Sequence, residues 1–596
     1  MAIDLRESFN RIKAGYKGEF DTTQTADWIQ KHLKLSGRQV SFKGREYQER
    51  LLKSDAPTIV VKKCSQVGIS ELMLMRNLAL MDILNGFKII HTLPTALFAQ
   101  KVMKTRVDPL LASSPKLQSK LNKNLDNASV KQIGDSLLYL NGTNTTASAI
   151  SIPADCIVVD ELDFSVMENV ESLQSRLTAS QYRWWNYVST PTVPNFGIDS
   201  QFQASKRYYN HCKCKHCGRW YLPDFLKHTR IPDFDGDLLA INKGMLGSIR
   251  WQEAEMFCPH CGKPADLSIE HRAWVCENPS DNFLADGFQI SPTDAPSIIT
   301  PADLVLWSTR FKRKVNFVNY HLGQVMADND SGISEADLDL MEQVGALPAS
   351  GFRVFGLDMG TECHLTVGVT DGQGKLTVIE KHRLDYRTVE EELNRLIARH
   401  RPTTILADSQ PYVETIHRLQ SRIHNLYGSV YVTTKDMQPY RVIDQSEDTQ
   451  KALLDRRQVN VNRNVALNIL MDDIRSGLVG VTVDAEQGLF RQQMQDMKRK
   501  PASAKAFNGE VSDEDGEPEA YVWVKTTGND HYHHSLLYCH IAAQLVHHLP
   551  GRGALPCFIG SFKVKSEKKK KKKERREKGA GIFKTWLMLT EYRRGK

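Results

Sequence analysis

The chain has 596 residues, of which 41% are hydrophobic and 25% charged, with a formal net charge of +8. Those proportions belong to a globular protein with several cores, and they exclude a wholly disordered, collagen-like or disulfide-framework chain. The charge is uneven: residues 561–596 hold 15 Lys/Arg against 4 Asp/Glu, a local +11, so the rest sums to −3. Nucleic-acid binding must therefore be argued from sites and not from the overall charge.

No uncharged apolar run approaches the ~18–20 residues of a transmembrane helix. The start, Met1 to Glu7, mixes charges and does not read as a secretory signal. The expectation is a soluble cytoplasmic protein with no membrane contact. Eleven cysteines in such a chain do not suggest disulfides, and six of them fall between Cys212 and Cys276, which favours a metal site.

Residues 1–40 read as a charged helical segment with Trp28, Ile29, Leu33 and Leu35 on its apolar face. From 41 to 205, strands alternate with helices. Thr58 to Val61, Phe87 to His91, Cys156 to Val159 and Tyr187 to Pro191 are β-like, and Ser70 to Leu84 has helical periodicity. That alternation predicts a parallel sheet covered on both faces. Residues 206–290 are rich in Cys, His, Gly, Pro and Trp, and a helical connector follows to about 345. A second α/β block, 346–550, opens at Phe352 to Asp358, with turns near Asp371 and Gly374 marking a hairpin or meander. Glu510 to Glu519 reads as a loop. Residues 551–596, with the run Lys568 to Lys573, read as a disordered basic tail.

The segment Val60 to Glu71 joins a strand to a helix, the place where backbone N–H groups cradle phosphates. Against G-x-x-x-x-G-K-[ST], Gly68 and Ser70 fit, but Ile69 stands at the lysine position and Lys63 at the first glycine. A lysine at the start of the loop can still reach the β/γ-phosphates, with Ser70 on Mg²⁺. Some 90 residues later an apolar strand ends in Asp160-Glu161, the Walker B arrangement: Asp160 for the Mg²⁺ shell, Glu161 to polarise water. Ser189-Thr190-Pro191 ends another strand where a γ-phosphate sensor belongs. Upstream, Gln48 has the chemistry to pair with adenine and Tyr47 to stack.

Cys214-Lys215-His216-Cys217-Gly218 and Cys258-Pro259-His260-Cys261-Gly262 are two knuckles about 40 residues apart, the spacing of a structural Cys₄ zinc ribbon. Cys212 and Cys276 are spare thiols able to substitute. Asp358 and Asp408 end strands, and Asp530 precedes an apolar helix. Acids so placed can converge on two metal ions for phosphodiester cleavage, in an RNase H-like layout. Asp408 is the weakest of the three, with Glu414 as its substitute, and His531, His533 and His534 crowd Asp530.

This order of elements resembles the large subunit of the bacteriophage terminase, in its lambda-like branch. The resemblance is carried by Tyr47-Gln48, Lys63 to Glu71, Pro94-Thr95-Ala96, Asp160 to Asp163 and Ser189 to Thr192. It continues through Lys206 to Tyr209, Asn316-Phe317, Leu322-Gly323, Asp358-Met359-Gly360 and Asn529-Asp530-His531, over roughly residues 25–550. In that branch the loop's lysine lies at its amino end, as Lys63 does.

The resemblance implies an α/β architecture: a P-loop ATPase (41–205), a zinc-ribbon insert (206–290), a connector (291–345), an RNase H-like nuclease (346–550) and the tail. It implies ATP-driven packaging of double-stranded DNA into procapsids and endonucleolytic cutting of concatemers. ATP, Mg²⁺ (or Mn²⁺) and Zn²⁺ would be the cofactors. Gln48, Lys63, Gly68, Ser70 and Asp160 would bind ATP, Glu161 would drive hydrolysis, and Asp358, Asp408 and Asp530 would hold the nuclease metals. Expected partners are double-stranded DNA, a small terminase subunit at residues 1–40, a portal protein and further copies of the chain in a ring. The location would be the infected host's cytoplasm, with transient docking on the procapsid. Two other readings compete: a DNA repair or defence helicase-nuclease, and a zinc-bearing DNA-binding scaffold whose ATPase is degenerate, prompted by Ile69.

Overall fold

The computed structural model describes residues 22–144, 152–280, 282–311, 313–326, 331–346, 351–371, 374–432, 438–443, 457–501 and 521–546. Most of the N-terminal segment, the Glu510 to Glu519 loop and the basic tail lie outside the described residues. Within 22–40 a helix runs over Thr23–His32 and buries Trp28 and Ile29.

Among the described residues the first sheet has ten strands. They are β1 (Thr58–Lys63), β2 (Lys88–Leu93), β3 (Val130–Ile133), β4 (Ser136–Gly142), β5 (Cys156–Asp160), β6 (Trp184–Ser189), β7 (Lys206–Lys213), β8 (Trp220–Tyr221), β9 (Arg272–Cys276) and β10 (Ala285–Ile290). Their order is β8-β7-β10-β1-β6-β5-β2-β4-β3, with β9 also on β7. From β7 to β4 every pairing is parallel. Central parallel strands are covered on both faces, which is why β1 and β5 read as continuous apolar runs rather than alternating ones. Helix α1 (Ile69–Ile83) follows β1 and is built from Leu, Met and Ala, strong helix formers. It is buried almost all round, so it carries no polar stripe.

Two sequence boundaries need correction. Residues 206–290 do not form a separate insert, because β7, β9 and β10 are strands of the first sheet, and β10 lies between β1 and β7. The shift in composition marks an excursion between β7 and β10, not the edge of a domain. The connector belongs to the first region's core as well. Leu304, Val305, Phe317 and Leu322 share one hydrophobic core with Val61, Leu72 and Leu78 of β1 and α1.

The second sheet contains β11 (Phe352–Asp358), β12 (Glu362–Thr370), β13 (Leu376–Asp385), β14 (Thr404–Asp408), β15 (Leu426–Tyr431), β16 (Tyr440–Val442), β17 (Gln458–Val461) and β18 (Val479–Val481). The order is β16-β17-β15-β14-β11-β12-β13-β18. β11, β12 and β13 form the expected antiparallel meander, and β14 lies parallel to β11 on its other side. Helix α2 (His531–Leu545) seats on this sheet, with Ser535 Oγ donating to the Gly356 carbonyl at 2.9 Å. A hairpin of β19 (Met497–Pro501) and β20 (Tyr521–Lys525) precedes it. Among the described residues, no helix is long and apolar enough to cross a membrane.

Candidate functional site

Lys62 and Lys63 are consecutive in β1, so their side chains leave opposite faces of the sheet. Lys63 Nζ lies 3.2 Å from Glu161 Oε1, whereas Lys62 Nζ lies 3.1 Å from Asp199 and 4.4 Å from the centre of the Phe202 ring. The loop after β1 is fastened from behind. Cys64 N–H donates to Ile290 O at 2.9 Å, and Ser65 N–H to Tyr320 O at 2.7 Å. The Ser65 hydroxyl reaches the same Tyr320 carbonyl at 2.7 Å. Tyr320 sits in a π-helical turn, Val318–Leu322, that ends on Gly323 at φ +64°. A Cβ on Gly323 would stand 2.6 Å from Cys64 N, so only glycine lets this turn press against the loop after β1.

Gln48, which the sequence offers as an adenine partner, is engaged by the loop itself. It is buried, and its amide donates to Val67 O at 2.9 Å, while Tyr47 Oη–H donates to the same carbonyl at 2.8 Å. Gly68 leaves room for this amide: a Cβ there would meet Gln48 Nε2 at 2.8 Å. The pair clamps the loop from inside.

Asp160 and Glu161 end β5 beside the loop. Ser70 Oγ–H donates to Asp160 Oδ1 at 3.1 Å. Burial alone would push Asp160 up, but His91, Lys63 and Ser70 together hold it below the usual carboxylate range. Glu161 is pushed up, by burial first, against the pull of Lys63. Burial works against the Lys63 charge too, but Glu161 and Asp160 outweigh it and keep the ammonium. The environment thus separates the two acids into a metal-type carboxylate and a more basic one. Glu161 Oε2 is buried without a hydrogen-bond partner, and the residue stands at φ +59°. The residues fit a nucleotide with its Mg²⁺: a lysine, a hydroxyl beside an ionised Asp, and one unsatisfied carboxylate oxygen facing them.

Asp163, three residues beyond Asp160, is wholly buried. Its carboxylate accepts from Thr192 N at 2.8 Å, Thr192 Oγ1 at 2.7 Å and Ile198 N at 2.7 Å, and its own N–H donates to Ser189 Oγ at 3.2 Å. It ties the Asp160-Glu161 turn to the end of β6. Nothing local in the sequence around Asp163 signals this role. A cavity of 440 Å³ lies on the Lys62 face with Asp199, Asn210 and Asp294, and neither Lys63 nor Glu161 lines it.

The cysteines meet as their spacing predicts. Cys214, Cys217, Cys258 and Cys261 have Sγ atoms all within 4.8 Å of one another. Cys214 and Cys261 are 3.6 Å apart, and Cys217 and Cys258 3.9 Å. A tetrahedral ion with Zn–S of about 2.3 Å puts sulfurs about 3.8 Å apart, so the set fits. Both knuckles close by the same bonds: Gly218 N–H to Cys214 O at 2.8 Å and Gly262 N–H to Cys258 O at 2.9 Å. Neither spare thiol joins. Cys212 donates to Asp266 O, and Cys276 is on β9 opposite Tyr208.

On the second sheet the expected trio is only partly assembled. Asp358 and Asp408 end adjacent parallel strands. Yet the group of ligand atoms within 4.8 Å that contains Asp358 is completed by His364 and His531, not by Asp408 and Asp530. Like charges keep apart where each can find a partner. Asp358 Oδ2 takes His531 Nδ1 at 2.9 Å, and Asp530 Oδ2 takes His534 Nε2 at 3.0 Å. His534 Nδ1 bonds the Tyr431 hydroxyl at 2.6 Å. Asp408 is pushed up to about 6, by burial first and then by the nearby Asp358 charge. Asp496 accepts from Thr526, Thr527 and Gly528 and so fixes the turn that delivers Asp530. His364 went unnoticed in the sequence. It stands directly across the hairpin from Asp358 in the β11–β12 register, a pairing the strand-turn-strand pattern implies. His364 and His531 stack with ring centres 4.8 Å apart, and both line a groove of 390 Å³ with Glu362, Arg383 and Gln493. Glu414 lies in the helix after β14, outside this group.

Residues 43–275 match the family model described as "Phage terminase large subunit gpA, ATPase domain". The chain is similar to the large terminase of bacteriophage HK97 at 11% identity and TM-score 0.45, covering 87% of this chain and 99% of that one. It is similar to the large terminase ATPase domain of a Thermus phage at 11% identity and TM-score 0.30, covering 48% and 97%. To the large terminase nuclease of the thermophilic phage G20c the figures are 13%, 0.21, 35% and 96%. None of the curated proteins compared with the chain matches it.

Proposed function

We propose that this chain is the large subunit of a phage terminase, an ATP-driven motor that packages double-stranded viral DNA and cuts it with metal help. The ATPase half rests on one observation above the others: the match of residues 43–275 to the gpA ATPase family, with Lys63, Ser70, Asp160 and Glu161 gathered at one end of the sheet. Lys63 neutralises the β/γ-phosphates. Ser70 and Asp160 hold Mg²⁺, which when bound offsets charge developing on the phosphate oxygens. Glu161, the more basic acid, orients and deprotonates water. Gln48 and Tyr47 keep the loop in shape rather than reading adenine.

The nuclease half rests on Asp358, with Asp408, Asp530, His364 and His531 around it. Asp358, with Asp408 and Asp530, would hold divalent cations, whose chemistry when bound would be to activate water and stabilise the leaving oxygen. His531, paired with Asp358, orients that carboxylate. The four cysteines hold zinc as a structural ion with no open position. The portal, the small subunit, the ring assembly and the host-cytoplasm location follow from the same reading.

The test is DNA-stimulated ATP hydrolysis by the full chain beside Glu161→Gln. Hydrolysis by the wild type and none by Glu161→Gln is the expected result. An inert wild type with bound zinc favours the degenerate-ATPase scaffold. ATPase activity with duplex unwinding but no DNA uptake by procapsids favours the repair helicase-nuclease.

A further inference from the structure

One lysine of the second region enters the first. Lys500, in the β19 strand of the hairpin before α2, is 6% exposed. Its amine donates to the main-chain carbonyl of Asp163 and lies 4.4 Å from the centre of the Phe196 ring. Asp163 is the residue whose carboxylate joins Thr192 and Ile198 to the turn after Glu161. A buried ammonium is costly unless it is held by acceptors, so a surface role does not explain it. Lys498, two residues earlier on the same strand, makes a backbone bridge with Gly332, so the strand is also tied to the end of the connector.

We infer that Lys500 is a positioning residue through which the nuclease-side hairpin sets the geometry of Glu161. The chain of contacts is short: Lys500 amine, Asp163 carbonyl, then two peptide units to the left-handed Glu161 whose carboxylate faces Lys63. Moving the hairpin moves the carbonyl, and with it the turn that aims the base. A small misplacement of a catalytic group lowers the rate of the chemical step and leaves substrate binding nearly intact. Lys500 touches neither nucleotide nor water and takes no part in the chemistry itself.

This inference rests on the ATPase reading of the site. Full-length wild type, Glu161→Gln, Lys500→Met and Lys500→Arg are compared for ATPase kcat and KM, for Mg²⁺-dependent cutting of linear DNA, and for Tm. Lys500→Met is expected to lower kcat roughly tenfold to a hundredfold with little change in KM. Cutting should stay near the wild-type rate. Lys500→Arg keeps a donor and a charge and should recover most of kcat. A Lys500→Met enzyme with wild-type kcat overturns the inference. So does Lys500→Arg as slow as Lys500→Met, or a parallel loss of cutting and Tm, since each assigns the residue to packing. If the wild type itself hydrolyses no ATP, it is the ATPase reading that fails, and the Glu161→Gln comparison shows which of the two has failed.

Discussion

Both sheets end in acids, but the acids meet different neighbours. At the end of the first sheet, Asp160 and Glu161 face Lys63, Ser70 and His91, so the protein supplies its own positive charge. At the end of the second, Asp358 and Asp408 lie on adjacent strands, and histidines bond two of the acids: His531 on Asp358 and His534 on Asp530, where the Lys525 charge also acts. In the first site a lysine pairs with one of the acids; in the second, burial holds Asp408 and histidines hold Asp358 and Asp530. That contrast follows from charge alone: like carboxylates repel, a lysine between them does not leave, and an imidazole is a weaker and switchable counter-charge.

Glu161→Gln is the strongest way to break this contrast. It should lower ATP hydrolysis by about 10²–10⁴-fold while metal-dependent cutting persists, as paired ATPase and nuclease assays would register. Lys63→Ala should behave likewise and should also lower Tm, because it leaves the buried Glu161 without its partner, a change of about 3–5 kcal/mol. Asp358→Ala should lower cutting by at least about 10²-fold and leave ATPase nearly unchanged. EDTA should stop cutting in the wild type, and added Mn²⁺ should restore it. Loss of both activities in either variant would mean the two sites are not independent.

The Cys₄ set sharpens the comparison, since its charges are all of one sign and wholly dependent on an ion. Cys214→Ser should release zinc and lower folding yield, because structural zinc contributes directly to folding free energy. Elemental analysis and thermal melts give the result, and metal-free protein with unchanged Tm would remove the zinc assignment.

A smaller effect isolates the first region by pH. His321, among the rings of Trp307, Phe311 and Phe317, is lowered to about 4, chiefly by burial, with Arg310 adding to it. The unfolded chain takes up this proton near pH 6.5, and the folded one only near 4. The folded state therefore loses stability as pH falls from about 6.5 towards 4, by about 3 kcal/mol. His321→Phe should flatten that part of the Tm-against-pH curve. The smallest change expected is Lys62→Ala, which removes a pair with Asp199 on the opposite face of β1. ATPase should stay within about twofold of wild type, whereas a large loss would reverse the loop's register.

How much of this could be read from sequence depended on how far apart the cooperating residues lie. The cysteine knuckles were fully legible, since each turn is local and its spacing fixes the thiolates. The phosphate loop and the end of β5 were legible as strand-loop-helix and apolar strand, because a parallel strand buried on both faces has no alternation to confuse the reading. What could not be seen was which strand lies beside which. Nothing in Ala285 to Ile290 announces a place next to β1, and so the segment with the four cysteines read as a separate insert. Asp358 and Asp408 were found as strand ends, but His364, opposite Asp358, and Tyr431, which bonds the His534 that holds Asp530, come from strands paired across the hairpin and further along the sheet. Gln48 had the right chemistry for adenine, and only the fold shows that its amide is already bound to Val67.

The position of β10 has a consequence for biosynthesis. Strand β1 leaves the ribosome early, yet one of its two neighbours, and both carbonyls that fasten Cys64 and Ser65, are made only when Ile290 and Tyr320 have been added. A nascent chain stopped near residue 276, close to where the family match ends, would hold β1 and β7 with bare edges facing each other across an empty strand position. Such edges invite pairing between chains. Fragments beginning at residue 22 should therefore sediment as aggregates when cut at 276 and become monodisperse when extended to 326, with nucleotide binding appearing only in the longer one.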